Sequence, residues 1–331
     1  MRTASFIALL ALSVFAGCDS TTVGSNDEQV VVSASLIAGQ PLTHVELSLT
    51  RPIDAFFDPD EARVIDAEVS ISLLDASGHV EEAVPYRYQG GQLGLYVPVS
   101  DTPPLALEGR TYQLDVVVPG SPARRLTATT TIPEAVDVVT PPDALVEYQS
   151  GQGPAFVVSQ SEREGEKVVF LITVRSQDPV DFEQVVVEGD TLYRSVPESG
   201  FAPVPFVLSF AECEPEPNEQ LLCGEDLSDF NGGSSPLINQ ESYIDLGNGS
   251  LQVNIPWLAF GFYGPADVNL VALDEALIDF LETQSLQFAP TTLSPGEIPN
   301  IVSNVDGGLG VFGSVAQVRV QTTVIPQSRP Q

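Results

Sequence analysis

Few residues of this chain could do chemistry, and their spacing narrows what that chemistry could be. Cysteines stand at Cys18, Cys213 and Cys223. In an exported chain the spacing of Cys213 and Cys223 predicts a disulfide. Closing a loop of that size stabilises by about 2.5–3 kcal/mol on chain-entropy grounds. The alternative is a metal site, which needs more ligands than two distant histidines supply. The bridge would tie off an exposed acidic loop, with Glu212, Glu214, Glu216 and Glu219 in or beside it. His44 and His79 each precede Val-Glu and build no His-Glu-x-x-His zinc motif, so both read as surface residues. No Gly-x-Ser-x-Gly elbow occurs, and no cysteine is left over as a nucleophile. Carboxylates cluster at Asp54, Asp58, Asp60 and Glu61, and again at Glu225, Asp226 and Asp229. Either cluster could hold Ca2+ through oxygen ligands, although neither has EF-hand spacing, and solvated loops are the simpler reading. The aromatic run Trp257, Phe260, Phe262 and Tyr263 could offer a platform for sugar or peptide, but following a strand it reads as core. Gly307, Gly308 and Gly310 have neither a Gly-Lys-Ser/Thr ending nor a helix behind them. They predict a turn or bulge leading into a final strand, not a phosphate loop.

Cys18 has a context of its own. Arg2 supplies a positive start, Ala4 to Phe15 run apolar, and Ala16-Gly17 precede the cysteine. That is the pattern of a secretory signal, and the run is too short for a membrane span of about 20 residues. Phe15-Ala16-Gly17-Cys18 resembles the lipobox of bacterial lipoproteins, where the cysteine sulfur receives a diacylglycerol and the freed amine is usually acylated too. Phe15 replaces the leucine most frequent in that motif. Residues 1–17 are therefore expected to be a lipoprotein signal peptide and Cys18 the lipidated residue. More than one acyl chain is what stable anchoring requires. Residues 18–27, polar from Asp19 to Asp27, are expected to form a flexible tether.

Composition sets limits on partners. The chain carries 13 Lys+Arg against 45 Asp+Glu, a formal net charge of −32, and its only lysine is Lys167. Binding nucleic acid needs clustered cations, so nucleic acid is excluded as a partner. An anionic membrane surface would repel this body, which leaves attachment to the lipid. Scarce lysine among dense carboxylates also points to adaptation to high salt, where counterions screen the repulsion.

Short alternating runs fill the body. Val45, Leu47 and Leu49 alternate with polar residues, as do Val69, Ile71 and Leu73, then Tyr112, Leu114, Val116 and Val118, and then Leu126, Ala128, Thr130 and Ile132. Such period-2 patterning with frequent turns predicts an immunoglobulin-like or transthyretin-like β-sandwich over residues 28–134. A proline-bearing linker, Pro133 to Asp143, leads to a second antiparallel β-rich domain over residues 135–331. Strands are expected there at Ala155–Ser159, Lys167–Arg175, Phe206–Phe210 and Val311–Ile325. A hairpin is expected around Gly247-Asn248-Gly249. One short helix is expected to begin at a capping Asp274, with Leu277, Phe280 and Leu281 packed on a sheet.

In this order the residues also resemble a known family. The anchor cysteine with an early strand pair, Asp66-Ala67-Glu68-Val69 through Gly78, Glu108 to Leu114 with Ala128 to Pro133, and Ser303-Asn304-Val305-Asp306-Gly307-Gly308-Leu309-Gly310-Val311-Phe312-Gly313 are similar to the lipoprotein family termed domain of unknown function 4249. The last motif is the most specific. The resemblance implies an envelope lipoprotein, often encoded beside TonB-dependent outer-membrane receptors, and assigns no catalytic residue or cofactor. The expected role is a non-catalytic binding or accessory module, anchored by lipid in the outer membrane on its periplasmic face or the cell surface. A TonB-dependent transporter is the expected partner. A carboxylate-based glycoside hydrolase and a Ca2+-dependent adhesin or structural protein are the alternatives. Raising salt from dilute buffer to the molar range is expected to raise the melting temperature; an unchanged temperature would contradict the salt adaptation.

Overall fold

A computed structural model describes residues 28–51, 58–90, 94–120, 122–134, 136–151, 153–159, 169–239, 242–288 and 301–328. The signal segment, Cys18 and the tether lie outside these residues, as do Asp54 and Lys167.

The chain is mainly β. In its first half run β1 (Val30–Ile37), β2 (Val45–Leu49), β3 (Glu68–Leu74), β4 (Val80–Gly90), β5 (Leu95–Pro98), β6 (Thr111–Val118) and β7 (Arg124–Thr131). β1 shows why these residues choose strands. Val30, Val32, Ala34 and Leu36 are buried on one face, while the intervening positions are half-buried or exposed. β6 repeats the pattern with Tyr112, Leu114, Val116 and Val118. Together these faces enclose a first core around Leu47, Ile71, Tyr96, Leu114 and Leu126. Two buried tyrosines fasten that core to backbone at its rim. Tyr86 donates to the Thr43 carbonyl at 2.8 Å, and Tyr112 accepts from the Leu107 N–H at 2.9 Å. Burial raises the pKa of both phenols above the ordinary value.

The second half contains β8 (Val138–Thr140), β9 (Leu145–Glu147), β10 (Ala155–Ser159), β11 (Phe170–Ser176), β12 (Phe182–Val187), β13 (Asp190–Ser195), β14 (Glu214–Pro215) and β15 (Leu221–Cys223). It continues with β16 (Gly232–Ser234), β17 (Ile244–Asp245), β18 (Ser250–Asn254), β19 (Gly264–Leu273) and β20 (Leu309–Ile325). Among the described residues a 12-stranded sheet runs in the order β16-β11-β19-β20-β1-β2-β5-β4-β3-β6-β7, with β9 also on β20. Two four-stranded sheets, β17-β18-β10-β8 and β12-β13-β15-β14, complete the second half. A second core gathers Phe156, Phe170, Ile172, Leu251, Phe260, Phe262 and Leu270.

β20 belongs to both halves. Its first part pairs in parallel with β1, from Val31 opposite Leu309 to Ile37 opposite Val315. It also pairs antiparallel with β19, from Leu273 opposite Val315 to Gly264 opposite Val324. Phe312 and the preceding Val305 lie in the first core, and Val324 lies in the second. The parallel pairs β1–β20 and β9–β20 are exceptions within a largely antiparallel expectation.

Two local expectations change. Phe206–Phe210 is not a strand, because Pro205–Phe210 forms a short helix with proline in its first turn. A proline there loses no helical hydrogen bond, and its fixed φ suits a helix start. The linker holds a strand, since β8 pairs with β10 and Val136 is buried. The helix expected after Asp274 is present, running Glu275–Phe288 and packing on β20.

The glycine motif is a backbone crossing. Gly310 has φ +105°, and a Cβ there would stand 1.9 Å from the Val32 carbonyl oxygen. A Cβ on Gly308 would stand 2.7 Å from the Val30 carbonyl oxygen and 2.2 Å from a Leu126 methyl carbon. Asn304 clips the same crossing: its side-chain amide donates to the Thr129 and Phe312 carbonyls at 3.1 and 2.8 Å, and its oxygen accepts from the Phe312 N–H at 3.0 Å. Gly310→Ala is expected to destabilise by about 3 kcal/mol or more in urea unfolding, from strained φ together with a backbone clash. Gly247→Ala is expected to cost only about 1 kcal/mol, since Gly247 shares the positive φ but meets nothing within 4 Å.

Candidate binding cleft between the two halves

A cleft of about 1100 Å³ opens where β7 of the first half faces the start of the Glu275–Phe288 helix in the second. One wall is hydroxyl-rich, with Thr111, Thr129, Thr130 and Thr131. The other carries Leu273, Asp274, Glu275, Ile278, Asp279 and Glu282. β6 and β7 build the first wall at their ends, where Thr111 stands opposite Thr131 with their hydroxyl oxygens 2.8 Å apart and Thr130 turns to the buried face of the strand. Helical spacing explains the second: Glu275, Asp279 and Glu282 share the solvent stripe of the helix, and all three are exposed.

Asp274 closes the cleft floor. It is buried, with 8% of its surface exposed. One carboxylate oxygen accepts from the Leu277 N–H at 3.0 Å, capping the helix. The other accepts from the Thr130 hydroxyl at 2.5 Å, and the Ser314 hydroxyl of β20 lies 2.6 Å from that of Thr130. The Asp274 N–H donates to the Ser314 carbonyl at 3.0 Å. One carboxylate therefore ties the helix, β7 and β20 together. Burial raises its pKa above the ordinary carboxylate value, and the bonds from Thr130 and Leu277 offset only part of that rise. Gly313 leaves room for this packing, since a Cβ there would come within 3.0 Å of Leu277 Cβ and 3.2 Å of Asp274 Oδ1.

The residues singled out from sequence fall elsewhere. Cys213 and Cys223 form the expected disulfide, with Cα atoms 4.1 Å apart. His44 and His79 are exposed, beside Glu46 and Asp75 respectively. Asp58 caps the short helix Pro59–Ala62 by accepting from the Asp60 N–H, while Asp60 pairs with Arg63 and Glu61 with Arg51. Asp226 caps the 3-10 helix Leu227–Asn231 in the same way. Asp58, Asp60, Glu61 and Asp226 are thus engaged in local structure, and no group of three or more metal-ligating side chains occurs among the described residues. Phe260 and Phe262 are buried in the second core, and Trp257 and Tyr263 stand edge-on to Tyr148 with ring centroids 5.4 and 6.0 Å away. No helix among the described residues is long and apolar enough to cross a membrane.

Sequence reasoning identified the Asp274 cap but not the Thr130 and Ser314 that meet it. Thr130 was legible only as an unusual polar residue on the apolar face of its strand.

With mainly β architecture and this cleft established, the family model described as Domain of unknown function (DUF4249) matches residues 19–321, and the chain belongs to that family. None of the curated proteins matches the chain. Among solved structures it is similar to Salmonella alpha-2-macroglobulin reacted with methylamine, at 14% identity and TM-score 0.23, over 91% of this chain and 15% of that one. It is also similar to trypsin-activated alpha-2-macroglobulin from Escherichia coli, at 11% identity and TM-score 0.18, over 91% of this chain and 16% of that one. The chain spans under a fifth of those proteins' length, and likeness at this level carries no argument about its role.

The buried carboxylate gives a pH signature. Because its folded pKa is raised, the folded state holds the proton more tightly than the unfolded chain does. Its charge therefore costs stability at neutral pH, and the cost is relieved as pH falls through the folded pKa toward 3.8. Asp267 has the opposite sign. Hydrogen bonds from Arg319, Gln321 and Gln177 lower its pKa, so its contribution is lost only as pH falls below 3.8 through that lowered value. Asp274→Asn, which can still cap, is expected to flatten the stability difference between pH 7 and 4.5. Thr130→Val is expected to cost about 1–3 kcal/mol at pH 7 by leaving a buried acceptor unpaired. Urea unfolding at both pH values checks the pair.

Proposed function

We propose that this chain is a lipid-anchored accessory protein of the cell envelope that works by binding and not by catalysis. The observation that carries the reading is the arrangement of its start: a lipobox-like Phe15-Ala16-Gly17-Cys18, a polar stretch to Asp27, and then a strand set deep in the large sheet. Ten residues of fully extended chain span at most about 35 Å. A body held by lipid on Cys18 therefore stays within that distance of the bilayer, and its partners are those found at the membrane surface.

The structure supports binding over chemistry at the cleft. Both oxygens of Asp274 already accept hydrogen bonds, which suits a fixed joint better than a group that exchanges protons with a substrate. The threonine wall and the carboxylate wall could hold a polar or cationic ligand without altering it. The family resemblance is consistent with a TonB-dependent outer-membrane transporter as partner class and with anchoring in the outer membrane, and both belong to this proposal.

The test is fractionation of cells carrying the wild type or Cys18→Ser. Wild type is expected in the membrane fraction, with an N-terminal peptide whose mass includes a diacylglycerol and an amide-linked acyl chain. Cys18→Ser is expected to lose both the lipid and the membrane association. Membrane retention of an unlipidated chain would overturn the reading.

A further inference from the structure

From Ser195 to Val318 the sequence has no lysine, arginine or histidine. Within that stretch the helix Pro205–Phe210 turns Val207 and the following Ala211 into the second core, while Phe206 and Phe210 stand 49% and 62% exposed on an adjacent stripe. The Phe210 ring lies edge-on to that of Phe230, with centroids 5.9 Å apart. Two large aromatic rings are thus presented to solvent beside a third.

The patch is fixed by covalent and backbone constraints. Cys213, just past Phe210, is bridged to Cys223, just ahead of the 3-10 helix that carries Phe230. Glu212 sits between the helix and the bridge in the left-handed region, with φ 48°. Asp226 caps the 3-10 helix, and Leu227 anchors it in the core. The chain before Phe230 and the chain after Phe210 are therefore held together, and the rings need no reordering on binding, which lowers the entropic cost of association.

Charge decides what fits. Exposed Glu212, Glu225 and Asp229 border the patch, and none of them makes an ion pair among the described residues. The loop's one ion pair there joins Glu216 to Arg194. A second copy would bring the same carboxylates against these, and anionic lipid headgroups would likewise repel them. We propose that the Phe206–Phe210–Phe230 face docks a partner protein whose surface offers an apolar pocket bordered by lysine or arginine. The inference rests on the binding-module reading for the existence of a partner, and on this geometry for where the partner sits.

The test places a benzophenone photo-crosslinking residue at Phe206 or Phe210 in the full lipidated chain, in its own cells, with control positions at His79 and Val186. Both controls are exposed; His79 lies in the first half, and Val186 on β12, the edge of the small sheet farther from Cys223. The expected result is one protein adduct from Phe206 and Phe210 whose crosslinked peptide contains lysine or arginine. Its yield should fall about tenfold or more when Glu212→Lys and Asp229→Lys are combined, the equivalent of about 1.4 kcal/mol. Melting temperatures of the purified variants confirm that each is folded. Adducts with lipid, with a second copy, or with a protein at a yield that charge reversal leaves unchanged would overturn the proposal. Protein adducts from His79 or Val186 alone would reject this face and leave the binding-module reading intact. No protein adduct from any of the four positions would remove both.

Discussion

The fold depends on one strand serving two cores. β20 is the last long strand of the chain, and it lies between the first strand, β1, and the longest partner in the second half, β19. Parallel pairing with β1 means that closure waits until the C-terminal end of the chain is in place. Backbones approach so closely at that crossing that only glycine fits at Gly310 and Gly308, and Asn304 supplies hydrogen bonds that a regular ladder would otherwise provide. The two halves meet through this strand and through Asp274, whose carboxylate reaches across from the helix to Thr130 of β7. The cleft is the space left beside that joint.

Charge is distributed in a way that fits this construction. With 45 acidic residues and few cations, most carboxylates have to stay in water. Among the described residues the two that are buried, Asp267 and Asp274, each accept several hydrogen bonds, and the consequences for their pKa are opposite. Asp267 has the Arg319 guanidinium beside it and is stabilised as an anion. Asp274 has only neutral donors, so desolvation dominates. Elsewhere acids cap short helices or pair locally with arginine, as Asp58, Asp60 and Glu61 do. The stretch without cations leaves the exposed phenylalanines bordered by negative charge alone.

Much of the β architecture was legible because its signal is local. Alternation along β6 and β7 names the buried face residue by residue, and the Gly247-Asn248-Gly249 hairpin announces its own turn. The Cys213–Cys223 bridge followed from spacing and an expected export signal, and the Asp274 cap from its place before an amphipathic run. What stayed hidden was long-range or ambiguous. Phe206–Phe210 is a short apolar run with no periodicity to separate strand from helix, and Pro205 was the only clue. β8 is too short to show alternation inside a proline-bearing linker. Thr130 and Asp274 are far apart in the chain, and nothing in either neighbourhood states that they meet. The parallel pairing of the first and last strands has no local signature at all, although the density of glycine at residues 307–310 marks a place where backbones must approach.

The functional reading needs the cleft and the phenylalanine face to be carried by a single body whose halves share β20. Native-state amide hydrogen exchange followed by mass spectrometry measures that sharing most directly. The account predicts that amides of β1 and of the whole of β20 are protected to a similar degree and released together, because opening either half requires breaking the same strand. Fast, separate exchange of residues 309–316 with 317–325 still protected would contradict it, and would mean that the two halves open independently.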